Sequence, residues 1–62
     1  MTTGEKLRQL RGNKPRHKVA EDLGISYSMY MKIERDERKA SDELKIRMAK
    51  YFGKSVQFIF FS

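Results

Sequence analysis

Basic side chains supply most of the chemistry that this 62-residue sequence could perform. Lys and Arg total 14 against 8 Asp and Glu, which gives a formal net charge of +6. Between Arg8 and Lys18 there are five Lys or Arg residues and no acidic residue. Such an excess on a small chain favours a polyanionic partner, most often nucleic acid. A charged surface that only keeps the protein soluble would have the same composition.

Groups for catalysis or metal binding are scarce. His17 is the only histidine and there is no cysteine, so neither a disulfide nor a thiolate metal site is available. One histidine among scattered carboxylates does not make a credible metal site, and the spacing suggests no Ser–His–acid arrangement. We therefore expect no enzyme activity, no cofactor and no metal. So short a chain has no room for a separate ligand domain, and we expect no small-molecule ligand.

Two short helical patterns within residues 16–35 could position the basic side chains. In the first pattern, Val19, Ala20 and Leu23 share one helix face. Gly24 follows them, where a left-handed helix end favours a residue without Cβ. Ser26 then stands where a hydroxyl can cap the free N–H groups of the next helix.

In the second pattern, Tyr30 and Ile33 lie three residues apart on one face. Ala20 is small enough to let the two helices cross closely. This conjunction predicts a helix-turn-helix, although a plain αα-hairpin would have the same hydrophobic periodicity. The outward side of the second helix then carries residues that are free to contact a partner: Tyr27, Ser28, Met29 and Lys32.

The remaining sequence predicts three more helices. One covers residues 4–12, and another begins after Ser41 and ends at Gly53. A last short helix follows Ser55, although this terminal segment could instead be extended. The apolar residues at helical spacing predict this core: Leu7, Leu10, Val19, Ala20, Leu23, Ile25, Tyr30, Ile33, Leu44, Met48, Ala49, Phe52, Val56 and Ile59.

The whole chain, residues 1–62, is expected to form one domain. No apolar run reaches the roughly 18 residues of a membrane span, and the N-terminus lacks the apolar core of a signal peptide. We therefore expect a cytoplasmic protein with no membrane partner.

The order and spacing of these motifs resemble the Cro/CI-type, or Xre, family of helix-turn-helix repressors. The matching pieces are LRQLR, VAEDLGIS, KIER, a basic loop and AKYFGKSV. The resemblance implies an all-α, five-helix bundle of the Cro/CI repressor type. It also implies a regulator of transcription that binds double-stranded DNA sequence-specifically as a homodimer. Members of the family repress or activate transcription, and we expect a repressor that acts at a pseudo-palindromic operator and comes from a mobile element or phage-like region.

Matching the family position by position implies roles for individual residues. Tyr27, Ser28 and Lys32 stand at positions that reach base edges in the major groove, although Tyr27 could instead be a partly exposed packing residue. Phosphate contacts, or alternatively ordinary solvated groups, are implied at further positions: Lys14, Arg16, His17, Ser26, Arg35, Arg38 and Lys39.

The family also implies a structural ion pair between Arg11 and Glu34. Asp36 departs from the pattern, because the family commonly has Gly there. Asp tolerates a left-handed conformation better than most residues, so the turn can survive.

Aromatic residues near the C-terminus leave two interpretations open. If Phe58, Phe60 or Phe61 is exposed, these residues form a self-complementary patch for a two-fold dimer. Alternatively they complete a thin core. A protein-interaction module, antirepressor- or antitoxin-like, is the second functional class, binding through Met29, Met31 or these aromatics.

Overall fold

The structure describes residues 1–61, which contain five α-helices joined by short loops and no strand. The structure is a computed structural model. It confirms the all-α, five-helix prediction. No helix in residues 1–61 is long and apolar enough to cross a bilayer. The helices are α1 (Thr3–Arg11), α2 (Arg16–Leu23), α3 (Tyr27–Glu34), α4 (Asp42–Phe52) and α5 (Val56–Phe60).

Helix α1 begins at a capping box. The Thr2 hydroxyl accepts from the Glu5 backbone N–H at 3.1 Å, and the Glu5 carboxylate accepts from the Thr2 N–H at 2.8 Å. These two bonds satisfy N–H groups that have no partner within the helix. The helix ends at Arg11, one residue before the predicted end, because Gly12 adopts φ 60° and ψ −129°.

The corner between α2 and α3 is fixed from both sides. Gly24 ends α2 with φ 74°, in the left-handed region that favours glycine. The Ser26 hydroxyl accepts from the Met29 N–H at 3.1 Å and so caps α3. From α4, the Arg47 guanidinium donates to the Leu23 carbonyl at the free end of α2. The corner therefore joins three helices.

Helix α1 lies directly against the end of α3 at Gly4. A Cβ on Gly4 would lie only 2.0 Å from the Glu34 carbonyl oxygen, so only glycine fits here without movement of the backbone. The Gly4 N–H donates to the Asp36 carboxylate at 3.0 Å. Asp36 itself has φ 60°, the left-handed conformation expected from the sequence. Its side chain thereby links the end of α3 to the start of α1.

The C-terminal helices use the same local signals. Ser41 caps α4 by accepting from the Leu44 N–H at 3.2 Å, and Gly53 ends the helix with φ 69°. Ser55 caps α5 by accepting from the Phe58 N–H at 3.0 Å. Residues Val56–Phe60 are therefore helical, so the extended alternative is wrong for them, and Ser62 lies outside the described residues.

All five helices contribute to one small core. Four residues of the predicted core, Leu10, Ile25, Phe52 and Val56, are only partly buried and pack around its edge. Ala40 is a core residue that the pattern missed, because it lies in the loop before α4, where no helical periodicity marks it. The buried apolar residues are Leu7, Val19, Ala20, Leu23, Tyr30, Ile33, Ala40, Leu44, Met48, Ala49 and Ile59.

Candidate nucleic-acid interface

The outward face of α3 is polar and open to solvent. Ser28, Lys32 and Arg35 are exposed and lie at i, i+4 and i+7, which aligns them along the side of the helix opposite the core. Tyr27 flanks this row with 47% of its surface exposed. The inward residues Tyr30 and Ile33 are buried and hold the helix in place. The predicted base-contact residues thus share one accessible surface.

A buried carboxylate lies directly behind this surface. Glu34, which is 1% exposed, accepts from Arg11 Nε at 2.7 Å and from Arg11 Nη2 at 3.3 Å. The two members of the predicted ion pair therefore lie together. A second arginine, Arg16 of α2, donates from Nε to Glu34 Oε1 at 3.1 Å. Burial favours the protonated acid, but Arg11, the neighbouring Tyr30 hydroxyl and Arg16 together outweigh it, so the pKa of Glu34 is lowered.

Arg16 consequently has an arrangement that the sequence did not predict. The family resemblance predicts a phosphate contact or a solvated group at this position, at the start of α2. In the structure, the Arg16 Nε–H instead donates to Glu34. Its side chain nevertheless remains 42% exposed. The pKa of Arg16 is raised, first by hydrogen bonding to Glu34 and next by hydrogen bonding to Tyr27. Arg16 thus links the start of α2 to the buried carboxylate at the end of α3.

The Tyr30 side chain fills the space beside this ion pair. Its hydroxyl is buried and makes no hydrogen bond of normal geometry within residues 1–61. Burial raises the pKa of Tyr30, and the neighbouring Glu34 carboxylate adds to that rise. The phenol is therefore neutral and serves as a packing group.

Lys14 is held against an aromatic ring. Its Nζ donates to the Tyr51 hydroxyl at 3.0 Å and lies 4.9 Å from the centre of the Tyr51 ring. The same hydroxyl donates to the Asp22 carboxylate at 2.7 Å. These hydrogen bonds raise the pKa of Lys14 and lower that of Asp22. The two hydrogen bonds thus connect the loop before α2 to α4 through Tyr51 and to α2 through Asp22.

The other predicted phosphate-contact residues differ in their exposure and in the hydrogen bonds or ion pairs that they already make. His17 is exposed at the start of α2, whereas Ser26 already uses its hydroxyl as a helix cap. Arg35 pairs with Glu37 at 3.1 Å on the surface. Arg38 and Lys39 are exposed in the loop after α3 and have no ion-pair partner among residues 1–61. No group of three or more His, Cys, Asp or Glu side chains in this part of the chain could hold a metal ion.

The C-terminal aromatics differ in how much of their surface is exposed. Phe60 packs partly against the core. Phe58 and Phe61 remain 48% and 65% exposed. Lys54 Nζ lies 5.5 Å from the centre of the Phe58 ring, and Lys45 Nζ lies 4.9 Å from that of Phe61. Exposed aromatic surface with lysine side chains beside it therefore lies at α5 and the residue that follows it.

Sequence reasoning missed several residues that position the interface. Arg47 and Tyr51 act across the fold from α4, and no local pattern distinguishes them from ordinary surface residues. The link between Arg16 and Glu34 joins residues 18 positions apart in sequence.

Comparison with known proteins identifies the family to which the chain belongs. A family model described as helix-turn-helix matches residues 5–59, a range that includes α2, the Gly24 corner and α3. No curated protein and no solved structure matches the chain. The family match covers most of the chain and agrees with the five-helix architecture and the exposed face of α3. The chain therefore belongs to the Cro/CI-type, or Xre, helix-turn-helix family of DNA-binding transcriptional regulators.

Proposed function

We propose that this protein binds double-stranded DNA sequence-specifically, with α3 in the major groove, and represses transcription as a homodimer. The observation that carries the proposal is the exposure of Tyr27, Ser28 and Lys32 on a helix whose opposite face is fixed in the core. A rigid helix with a free polar face can present side chains to base edges at a defined distance.

Three side chains would read bases in this arrangement. Lys32 supplies an ammonium group that can donate to guanine O6 or N7, and the Ser28 hydroxyl can pair with several bases. Tyr27 can contact a base edge or a thymine methyl group. Because Ser28 and Lys32 are one helical turn apart, they would contact neighbouring base pairs.

Basic groups around α3 would hold the DNA backbone. Arg38 and Lys39 have their charges available on one side of α3. On the other side, His17 lies near the start of α2, and Lys14 retains N–H donors beyond the one it gives to Tyr51. Ser26 and Arg35 lie at the two ends of α3 and complete this set. Contacts of this kind position the protein on the duplex without selecting the sequence.

Repression would follow from occupancy of the operator by two copies. A two-fold dimer places two α3 helices about one helical turn of DNA apart, on the half-sites of a pseudo-palindrome. Phe58 and Phe61 offer exposed aromatic surface for the contact between copies. A polymerase cannot use a promoter that the dimer covers.

Salt dependence of binding tests this proposal without knowledge of the operator. Binding to a mixed-sequence duplex of about 20 base pairs should weaken steeply as salt rises. Arg38→Ala and Lys39→Ala should each reduce the slope of log K against log salt by about 0.9, the value for one lost phosphate contact. Lys50→Ala, which removes an exposed charge on α4, should leave the slope unchanged. Binding that does not respond to salt would contradict the proposal.

A protein-interaction module remains the second candidate, and the exposure of Phe58 and Phe61 favours it. Met29 and Met31 are less suitable for this role, because both are half-buried. In this case the wild type would fail to bind duplex DNA, and a protein partner would be lost on replacing both phenylalanines.

A further inference from the structure

Two arginines from different helices share the buried Glu34 carboxylate, and they are not equivalent. The Arg11 side chain is 15% exposed and contacts Glu34 through both Nε and Nη2. The Arg16 side chain is 42% exposed and contacts Glu34 through Nε. Arg11 alone gives Glu34 a two-point partner. Neutralising the carboxylate therefore does not require Arg16, and we infer a different role for it.

The orientation of Arg16 indicates that role. A guanidinium group is flat and has five N–H donors, of which the single Nε–H points to Glu34. No bond joins the terminal Nη groups of Arg16 to the carboxylate, which accepts only the Nε–H from this side chain, and Tyr27 is the other group whose proximity raises the pKa of Arg16. With one N–H given to the phenol oxygen, three terminal N–H donors remain on a side chain that is 42% exposed.

We propose that Glu34 is a positioning residue of the DNA interface, which holds Arg16 beside Tyr27 so that the terminal nitrogens of Arg16 meet a pair of acceptors on DNA. The acceptors would be guanine O6 and N7 or two oxygens of one phosphate, since both match the two-donor edge of arginine. The inference rests on the proposed DNA-binding function and extends it to α2 and to a residue that does not touch DNA.

The physical advantage is preorganisation. A free arginine side chain on the surface samples many rotamers and loses that freedom when it binds DNA. Here the bond from Nε to a carboxylate fixed in the core restricts the rotamers before DNA arrives. The carboxylate also keeps its place when Arg16 is changed, because Arg11 still pairs with it.

Replacement of Arg16 by Lys separates this role from simple charge attraction. Lysine keeps the positive charge but has no Nε–H and no flat two-donor edge. Arg16→Lys and Arg16→Met should therefore both weaken binding to a selected operator, by about 5- to 150-fold. Lys50→Met removes the same charge as Arg16→Met from an exposed site on α4, and it should change binding far less. Near-wild-type affinity of Arg16→Lys would overturn the proposal.

Sequence selection from a random duplex pool then identifies the acceptor. If Arg16 contacts guanine, Arg16→Gln loses the preference for guanine at one position of each half-site. If Arg16 contacts a phosphate, Arg16→Gln binds every selected sequence more weakly and keeps the same preferences. Wild-type affinity and wild-type preferences in Arg16→Gln would contradict both versions.

A double-mutant cycle tests whether Glu34 acts through Arg16. Glu34→Gln should weaken operator binding in the wild-type background and add little in the Arg16→Met background. Equal effects in both backgrounds would overturn the positioning role. Binding is measured at a temperature where circular dichroism shows every variant folded. Leu44→Ala serves as the stability control, because it destabilises the core without removing a member of the Glu34 ion pair, so the folded variant should retain most of the affinity.

The experiments distinguish failure of the proposed DNA-binding function from failure of the positioning role of Glu34. A wild type that selects no sequence and binds no duplex rejects the proposed function itself. A wild type that binds its operator, with Arg16 variants that bind equally well, rejects only the role of Glu34 and Arg16. Nuclear magnetic resonance supplies a readout without DNA, since Glu34→Gln should remove the exchange protection of the Arg16 Nε–H.

Discussion

At the scale of single residues, Glu34 is unusual because it combines a charge with almost complete burial. It is the only charged residue buried in the part of the chain that the structure describes, and it accepts from two arginines. Burying a charge is costly unless it is paired, and removing one partner leaves that cost uncompensated. A residue of this kind should dominate the response of the protein to both mutation and pH.

We predict that Glu34→Ala lowers the free energy of unfolding by about 3–5 kcal/mol, the usual cost of breaking a buried ion pair. A domain of this size has little more than that in total, so the variant should be largely unfolded at room temperature. Urea unfolding followed by circular dichroism measures the effect. Glu37→Ala, which removes an exposed paired carboxylate, is the matched control and should change stability little. Equal stability of the two variants would contradict this view of the core.

Glu34 should also make the protein less stable at acidic pH. The pKa of Glu34 is lowered in the folded protein from an ordinary value of 4.5. The stabilisation is therefore fully present above about pH 4.5 and is lost as the pH falls through the lower folded pKa. Urea unfolding between about pH 7 and pH 3 should show a steeper loss of stability for the wild type than for Glu34→Gln. If the stability of both proteins fell equally with pH, the lowered pKa of Glu34 would be contradicted.

At the scale of helices and turns, neighbouring residues determine where each element begins and ends. The caps at Ser26, Ser41 and Ser55 and the left-handed glycines could be predicted from sequence, because each signal acts within a few residues. The contacts made by Gly4 and Arg47 could not, since they depend on how α1 and α4 pack against other helices. For the same reason the exposed face of α3 was predictable, whereas the link from Arg16 to Glu34 was not.

Gly4→Ala tests the packing of α1 on α3. Alanine is the better helix former by about 1 kcal/mol, so propensity alone predicts stabilisation. The added Cβ would lie 2.0 Å from the Glu34 carbonyl oxygen, and the two helices would have to separate. We therefore expect a net loss of about 1–3 kcal/mol in thermal or urea unfolding. Gln9→Ala, at an exposed site on the same helix, should stay within about 0.5 kcal/mol of the wild type. A more stable Gly4→Ala protein would contradict this packing.

At the scale of the whole molecule, the exposed aromatics near α5 predict self-association. Phe58 and Phe61 keep much of their surface in water although the core is thin. Sedimentation equilibrium over a range of concentrations should show a monomer–dimer equilibrium for the wild type. The double variant Phe58→Ser, Phe61→Ser should shift that equilibrium towards monomer. Ile46→Ser, which removes an exposed apolar residue of α4, should leave the equilibrium unchanged. A wild type that stays monomeric at high concentration would exclude this surface as a dimer contact.

Base reading by the outward face of α3 can be tested by selecting bound duplexes from a random pool, in parallel with wild type and Lys32→Ala. The wild type should enrich a two-fold related motif, and Lys32→Ala should lose preference at one position of each half-site. Enrichment of no motif by the wild type, or of an identical motif by Lys32→Ala, would contradict base reading by α3.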